Sequence, residues 1–475
     1  MFSIRHAAQN VNKNVTNFHI YIDNFHLHPI KSMIYYGQRE ELNMKKIKVG
    51  VLGGFRGTSM INYCKAADNA EIVAICDKQP AVIEAQKKNL KDCSVTFYDD
   101  FNEFIKHDMD AVVLANYAHQ HAPFAIAALN AGKHVFSEVL PVQTLKEAVE
   151  LTEAVEKTGM TYAYAENYCY MPATAEMKRL YGLGKIGEFE YGECEYIHNT
   201  SPIWASITYG ERDHWRNRMY STFYCTHSLG PIIHATGLRP VKVTGFESTK
   251  NERRLSEGAK GGLFGIEMVT LENGGIVKSV HGGLYKDSVW YSMYGNKGRM
   301  ESAREDAWVD SIQRLYVNCD EYPGEYRDRP IENYKPVRDY DDKCRDFGHG
   351  GSDFYSMYNF VQKLLGDESA DIIDVYEALD MSLPGLFAYR SILDGGKSMD
   401  IPNFRNKSER EKWRSDTACT DPEVAGDMLL PTSVSGTPEI DDKVYKAMYD
   451  KWQADLKSNS GHTHAVLGVD MTGDK

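Results

Sequence analysis

Lys45–Asp77 reads KKIKVGVLGGFRGTSMINYCKAADNAEIVAICD. Ile47–Leu52 is a short apolar run rich in β-branched residues, the composition of a buried strand. It stops at Gly53-Gly54-Phe55-Arg56-Gly57. Thr58–Ala67 follows with helical spacing, and a second apolar run, Glu71–Cys76, ends on Asp77. A strand, a glycine turn, a helix and a strand closed by an acid make a dinucleotide site. Glycines let the backbone approach a pyrophosphate. The helix start offers free N–H groups and the positive end of its dipole, and the acid accepts hydrogen bonds from an adenosine ribose. Gly54 and Gly57 match the second and third glycines of G-x-G-x-x-G, whereas Leu52 stands at the first. Asp77 follows Gly57 at about the spacing such an acid takes, which weighs against an ordinary βα turn with a solvent-facing Asp.

A chain of 475 residues is too long for one small core, so two domains plus appendages are expected. With 42% hydrophobic and 25% charged residues it has the balance of a globular protein. A net charge of −13 without a basic block argues against nucleic acid as a partner. No apolar run is long enough to span a bilayer, so no membrane is expected. The nine cysteines are scattered without C-x-x-C, which fits reduced thiols and a cytoplasmic location. No set of His, Cys and Asp has ligand spacing, so no metal is expected. Residues 1–43 lack the basic start and apolar block of a signal peptide. They are expected to be an extension outside the fold, dispensable for folding and activity, with the working fold starting at Met44.

Beyond Asp77, helical stretches (Ala81–Asn89, Phe101–Lys106, the Pro123 segment stopped by Gly132, and Leu145–Lys157 behind a Thr144/Glu147 capping box) alternate with short apolar strands. The strands are Val95–Tyr98, Ala111–Ala115, His134–Ser137 and Thr161–Ala165. Such alternation over residues 44–167 predicts a doubly wound parallel sheet with ligands at the C-terminal strand ends. The glycine turn, Asp77, Tyr117–His121, Glu138 and Glu166-Asn167 all fall at those ends. After Asn167 the pattern changes. Glu188–His198 alternates with period two, placing Cys194, Tyr196 and His198 on one face and Glu193 and Glu195 on the other. Further strands at Val241–Glu247, Gly262–Leu271, Gly275–Leu284, Val289–Tyr294 and Arg299–Glu301 are separated by glycine and asparagine turns. They predict a mostly antiparallel sheet, hence a second, α+β domain over residues 168–403 with helices at Phe354–Leu365 and Val375–Leu393. Residues 404–475 read as a polar tail with one helix near Asp441–Leu456.

A Rossmann domain that closes on Ser137-Glu138 and passes into an antiparallel sheet domain resembles the Gfo/Idh/MocA oxidoreductases, which use NAD(P) on sugar and inositol carbons. The resemblance runs from about Lys45 to Phe404. That family usually reads E-K-P where this chain reads Glu138-Val139-Leu140, so Val139 replaces its catalytic Lys. Its D-x-x-x-H pattern fails too, with His227 and Pro231 at those positions. The NAD-dependent α-N-acetylgalactosaminidases, glycoside hydrolase family 109, look like this chain at several segments. These are Glu138-Val139, Glu166-Asn167, Tyr196-Ile197-His198, His214-Trp215-Arg216, Tyr224-Cys225-Thr226-His227-Ser228-Leu229-Gly230-Pro231 and His349-Gly350-Gly351-Ser352-Asp353.

On the residues alone, Tyr196 and His198 could simply fill a sheet face, since aromatics are common in strands. His227 could cap the helix expected to start at Gly230-Pro231. Yet His214–His227 gathers a cation, two imidazoles and aromatic rings, which suits a sugar whose CH faces stack on rings while its hydroxyls take hydrogen bonds. The resemblance implies Tyr196, Arg216, Tyr224 and His227 as substrate contacts, with His227, Tyr224, Tyr196 and His198 as acid–base candidates. It implies NAD as cofactor, held by Gly53, Gly54, Phe55, Arg56, Gly57, Asp77, His121, Glu138, Val139 and Asn167. His234 reads as structural. The implied activity is glycoside cleavage by transient oxidation at carbon 3, elimination of the aglycone, water addition and re-reduction, in a homo-oligomer, dimer or larger. The alternatives are an NAD-dependent sugar dehydrogenase forming a 3-keto sugar and a non-catalytic NAD-binding sensor of sugars. Val139 weighs against the dehydrogenase and the polar groups around the rings against the sensor.

Overall fold

The computed structural model describes residues 46–304, 313–319, 332–344 and 347–458. The leader, residues 1–43, lies outside the described residues. Six strands form the first sheet: β1 (Ile47–Leu52), β2 (Ala70–Cys76), β3 (Thr96–Tyr98), β4 (Ala111–Leu114), β5 (His134–Ser137) and β6 (Tyr162–Tyr164). Their order is β3-β2-β1-β4-β5-β6, all parallel. The order reverses between β1 and β4, so a crevice opens beyond their C-terminal ends, where a doubly wound sheet binds its ligand. Near-continuous burial along β1 and β4 follows from helices on both faces. The capping box of Thr144 and Glu147 is present at the helix Leu145–Thr158, which ends on Gly159 in the left-handed region (φ +65°).

The nine strands of the second sheet are β7 (Phe189–Ile197), β8 (Pro240–Ser248), β9 (Phe264–Leu271), β10 (Ile276–Gly282), β11 (Ser288–Gly295), β12 (Gly298–Ser302), β13 (Leu315–Cys319), β14 (Glu332–Tyr334) and β15 (Met399–Asp400). The order is β14-β13-β12-β11-β7-β10-β9-β8-β15, antiparallel except for β7 beside β10. The chain is thus α/β, a parallel Rossmann sheet followed by a mostly antiparallel sheet with helices.

Three differences from the sequence expectation carry physical lessons. First, Gly230-Pro231 does not start a helix; both lie inside the helix Cys225–Thr236, so His227 sits in its first turn rather than before it. A proline inside a helix removes the N–H that would bond the carbonyl four residues back. That carbonyl belongs to His227, and it accepts from the Tyr291 hydroxyl of β11 instead. Second, the helix Ser352–Leu364, expected with the second domain, returns to the first. Its Met357, Phe360 and Val361 share a core with Val49, Val51, Ile75 and Val113. Third, residues 404–458 are more than a polar tail with one helix. Besides Asp442–Lys457 they contain the single-turn helices Lys407–Arg410 and Pro422–Ala425. Arg410, nearly fully buried, pairs with Glu156, and Arg390 pairs with Asp416 at 2.6 Å.

Candidate active site

The turn after β1 is built close. Gly53 holds φ +96°, and a Cβ there would meet the Ala115 carbonyl oxygen at 2.4 Å; one on Gly57 would meet the Gly53 oxygen at 2.6 Å. The turn therefore presents bare backbone to the crevice, and Gly57 begins the helix Thr58–Ala66 without any side-chain cap, leaving first-turn N–H groups open. Asp77 Oδ2 accepts from the Gly54 N–H and Oδ1 from the Gln79 N–H, each at 2.8 Å. Burial raises the Asp77 pKa, against those two bonds. The acid thus shapes the turn as well as facing the crevice. These features fit a dinucleotide.

A single cavity of about 1180 Å³ runs from this turn to the second sheet. Gly53, Phe55, Arg56, Asp77, His121, Glu138, Val139, Asn167, Tyr196, His198, Arg216, Tyr224 and His227 all line it. Of the residues singled out in the sequence, Gly54 and Gly57 do not line it and act through the turn's shape.

On the lining of this cavity, His227 is flanked by three aromatic rings. Its imidazole stacks on Tyr224 (5.4 Å between centroids, 15° between planes) and lies 4.6 Å from Tyr196 and 4.9 Å from Tyr168. Nδ1 is 2.7 Å from Oε1 of the fully buried Glu166. A carboxylate only accepts, so Nδ1 carries the proton and Nε2 is left as an acceptor. The Tyr196 hydroxyl and His198 Nδ1 share a 3.0 Å hydrogen bond. Arg216 lies 4.4 Å from the Trp215 ring centroid and donates to the Tyr224 hydroxyl at 3.2 Å. Burial raises the phenols of Tyr196 and Tyr224, Arg216 opposing it at both, and burial lowers His198.

Sequence reasoning gave no role to three residues that organise this region. Glu166 and Asp353 stood in quoted motifs, but their partners are far away in the chain. Arg56 Nη2 lies 2.6 Å from Glu138 and Nη1 3.0 Å from Asp353, which also accepts from Asn167 at 3.1 Å and contacts His349 Nδ1 at 3.1 Å. Although burial opposes the ionised carboxylate, Arg56 and His349 hold Asp353 well below the usual range. Arg56 thus brings a guanidinium beside Glu138, next to Val139, where the resembling family carries its lysine. The third residue is Tyr291, which fixes the His227 backbone.

His121 is less open than expected. Its nitrogens lie 2.9 Å from the Leu140 carbonyl and 3.3 Å from that of Asn116; burial lowers its pKa to about 4 against these contacts, and a neutral ring donates to only one of them, the nearer Leu140. His234 is bonded to Glu377 (2.6 Å) and does not line the cavity. Among the described residues no group of three His, Cys, Asp or Glu is placed to hold a metal ion, and no helix is long and apolar enough to cross a membrane.

Comparisons with known proteins agree with this architecture. Residues 47–166 match the oxidoreductase family with an NAD-binding Rossmann fold, Gfo/Idh/MocA. Residues 288–414 match the glycosyl hydrolase 109 C-terminal domain. A glycosyl hydrolase family 109 protein of Solibacter usitatus is 27% identical over 406 residues, 78% of this chain and 90% of that protein. An α-N-acetylgalactosaminidase of Tannerella forsythia is 25% identical over 75% of this chain and 86% of its own length. Among solved structures, levoglucosan dehydrogenase in complex with NADH and L-sorbose superposes with TM-score 0.61 at 18% identity, covering 76% of this chain and all of that one (100%). The WlbA dehydrogenase of Bordetella pertussis, in complex with NADH and UDP-GlcNAcA, gives 0.57 at 19% identity over 75% of this chain and 99% of that one. At such identities these two speak for the fold alone. The chain joins an NAD-binding Rossmann domain of the Gfo/Idh/MocA family to the C-terminal domain of glycosyl hydrolase family 109, and it is an enzyme of that kind, a glycosidase or oxidoreductase.

Proposed function

We propose that this enzyme cleaves glycosides with NAD as a recycled cofactor, by oxidation at carbon 3, elimination across carbons 2 and 1, addition of water and re-reduction. The observation that carries the proposal is the pair of acid–base groups on one cavity with the glycine turn: His227 oriented by Glu166, and Tyr196 bonded to His198. The turn, Asp77, Arg56, Glu138, Val139 and Asn167 would hold NAD, which when bound accepts and returns a hydride. Asp77 favours NAD over NADP, because its carboxylate repels a 2′-phosphate.

His227 Nε2, the acceptor left by the Glu166 bond, takes the proton of the carbon-3 hydroxyl. Tyr224 stacks on that imidazole and is tied to Arg216, which positions the hydroxyl end of the sugar. A carbon-3 ketone acidifies the proton on carbon 2, and His198, with Tyr196 as relay, removes it. Burial lifts both phenols and so keeps them protonated, and it lowers His198 and so keeps that imidazole in the form that can accept a proton. Elimination avoids an oxocarbenium-like transition state, so the paired carboxylates of ordinary glycosidases are unnecessary.

The test is one incubation with an aryl glycoside in heavy water, following aglycone, NADH absorbance and the product sugar by NMR. The expected result is aglycone release without net NADH and with deuterium at carbon 2. Aglycone release with carbon 2 fully protonated overturns the elimination route. Stoichiometric NADH without aglycone makes the enzyme a sugar dehydrogenase, the reading the Rossmann domain alone would favour.

A further inference from the structure

The two ends of the cavity differ in charge. Its lining carboxylates are Asp77, Asp99, Asp100, Glu138 and Asp353, all at the cofactor end, where Asp353 is joined to Arg56. The wall built from residues 196–283 carries Arg216, Arg254 and the imidazoles of His198, His214, His227 and His281, and no carboxylate among its described lining residues. Of the acids behind it, Glu166 and Glu267 are fully buried and bonded to His227 and His281, and Glu257 is bonded to Arg254. Burial holds His198 and His214 toward the neutral form, so the wall's fixed charge is its two guanidiniums, a local arrangement in a chain of net charge −13.

Arg254 is the part of that wall the proposed reaction does not use. It is nearly fully buried yet lines the cavity. Its guanidinium lies 3.8 Å from the ring centroid of the buried Trp204, and Nη1 donates to Glu257 at 2.5 Å. A ring on one face and a carboxylate at one corner fix the fork and leave its other donors for a ligand. Its place along the cavity is set by Gly283, where a Cβ would stand 3.5 Å from Arg254 Nε and 4.0 Å from the His198 carbonyl oxygen. Arg254 therefore stands just beyond the His198 end of the sugar site. Burial pulls its pKa down to about 10, Glu257 opposes this, and Arg253 and Arg216 add to the depression, so one carboxylate does not fully offset the buried charge.

We propose that Arg254, with Arg216, forms a subsite for an anionic substituent of the glycoside, a carboxylate or a sulfate ester. Both are planar or fork-matched acceptors for a guanidinium, and either would supply the charge the wall lacks. The inference rests on the glycoside reading and adds the substrate's charge to it.

Calorimetry on the NAD-loaded enzyme tests it with four probes: N-acetylgalactosamine, its 6-sulfate, galactose and galacturonate. The expected result is that at least one anion binds about tenfold or more tightly than its neutral parent. Which anion gains identifies sulfate or carboxylate as the preferred group. The preference should vanish in Arg254→Gln and partly survive in Arg254→Lys, with NAD affinity unchanged in both. Neutral parents binding as well as both anions overturns the subsite, as does a preference undiminished in Arg254→Gln. Should that variant fail to fold, the wild-type ratios decide alone. Release of aglycone from a neutral aryl glycoside, with no gain from either anion, removes this inference and leaves the glycosidase reading standing. Binding of none of the four removes this inference, whereas the glycosidase reading falls only on the heavy-water test.

Discussion

In the proposed reaction Glu166 acts through His227, while the same oxygen also accepts from the Tyr168 N–H. A buried carboxylate 2.7 Å from Nδ1 acts as an acceptor there, which places the imidazole proton on Nδ1 and leaves Nε2 as the acceptor. Glu166→Gln replaces an obligate acceptor with a group that can also donate, so either tautomer can form. Turnover should fall by about 10²- to 10⁴-fold with KM and NAD affinity little changed, the pattern of a lost orienting carboxylate. Glu166→Asp should recover part of the loss. Equal activity in wild type and the Gln variant would remove the dyad from the mechanism. Asp77 makes a different prediction, because it braces the glycine turn and faces the cofactor end. Asp77→Ala should weaken NAD by about tenfold and narrow the preference over NADP. A wild type that prefers NADP would contradict the ribose role. These two residues were unequally legible in the sequence. The place of Asp77 was readable because it is local: a strand end at a fixed distance from a glycine turn. Glu166 was not, because its partner stands 61 residues away and only the folded sheet brings them together.

The helix Cys225–Thr236 illustrates how an element can mislead a reader of sequence. Proline is common in the first turn of a helix, so Gly230-Pro231 suggests a start. Here the tertiary structure supplies what proline removes, with the Tyr291 hydroxyl taking the carbonyl of His227. The Ser228 and Ser279 hydroxyls, 2.8 Å apart, tie the same turn to β10. Tyr291→Phe leaves a buried carbonyl without its donor, which costs about 1–3 kcal/mol. The melting temperature should fall by a few degrees, and turnover should fall further than NAD affinity, since the loosened turn carries His227. A variant with lowered stability but wild-type turnover would show that the turn holds its place without Tyr291. Regular elements were legible where periodicity was strong: the parallel strands are short apolar runs between amphipathic helices. The strands β13–β15 were not expected, because they are two to five residues long and pair only at the sheet's margins.

At the scale of the whole molecule, the segment around Arg410 and Arg414 acts as a clasp. Arg410 reaches Glu156 on the helix Leu145–Thr158, and Arg414 reaches Glu153 on the same helix. The Arg410 hydrogen bond is the main cause that brings the Glu156 pKa down to about 2, with burial opposing it. A depressed carboxylate stabilises the fold above its unfolded value and loses that contribution as pH falls through the folded one. Arg410→Met should therefore be less stable than wild type by about 2–3 kcal/mol at neutral pH. The difference should shrink between pH of roughly 4 and about 2 in urea titrations. A gap independent of pH in that window would assign the loss to packing.

The last helix, Asp442–Lys457, backs the substrate end from outside. Tyr445 is buried against Gly258, where a Cβ would meet its ring at 2.7 Å. Tyr449 crosses Gly210 so closely that a Cβ there would meet its backbone nitrogen at 2.3 Å, and Trp452 lies 5.1 Å from Tyr209. Tyr209, Trp204, Arg254 and Ala259 line the cavity from the segments this helix covers. None of these contacts reaches the glycine turn. A chain ended after Glu439 should thus keep NAD affinity while KM for a glycoside rises by about tenfold, since wall residues held only from behind lose orientation before they lose structure. The two measurements are cofactor titration and steady-state kinetics on the same preparation. Losing cofactor affinity in step with turnover would mean that the helix supports the whole fold. Unchanged KM would mean that the wall at residues 204–212 and 254–259 stands without it.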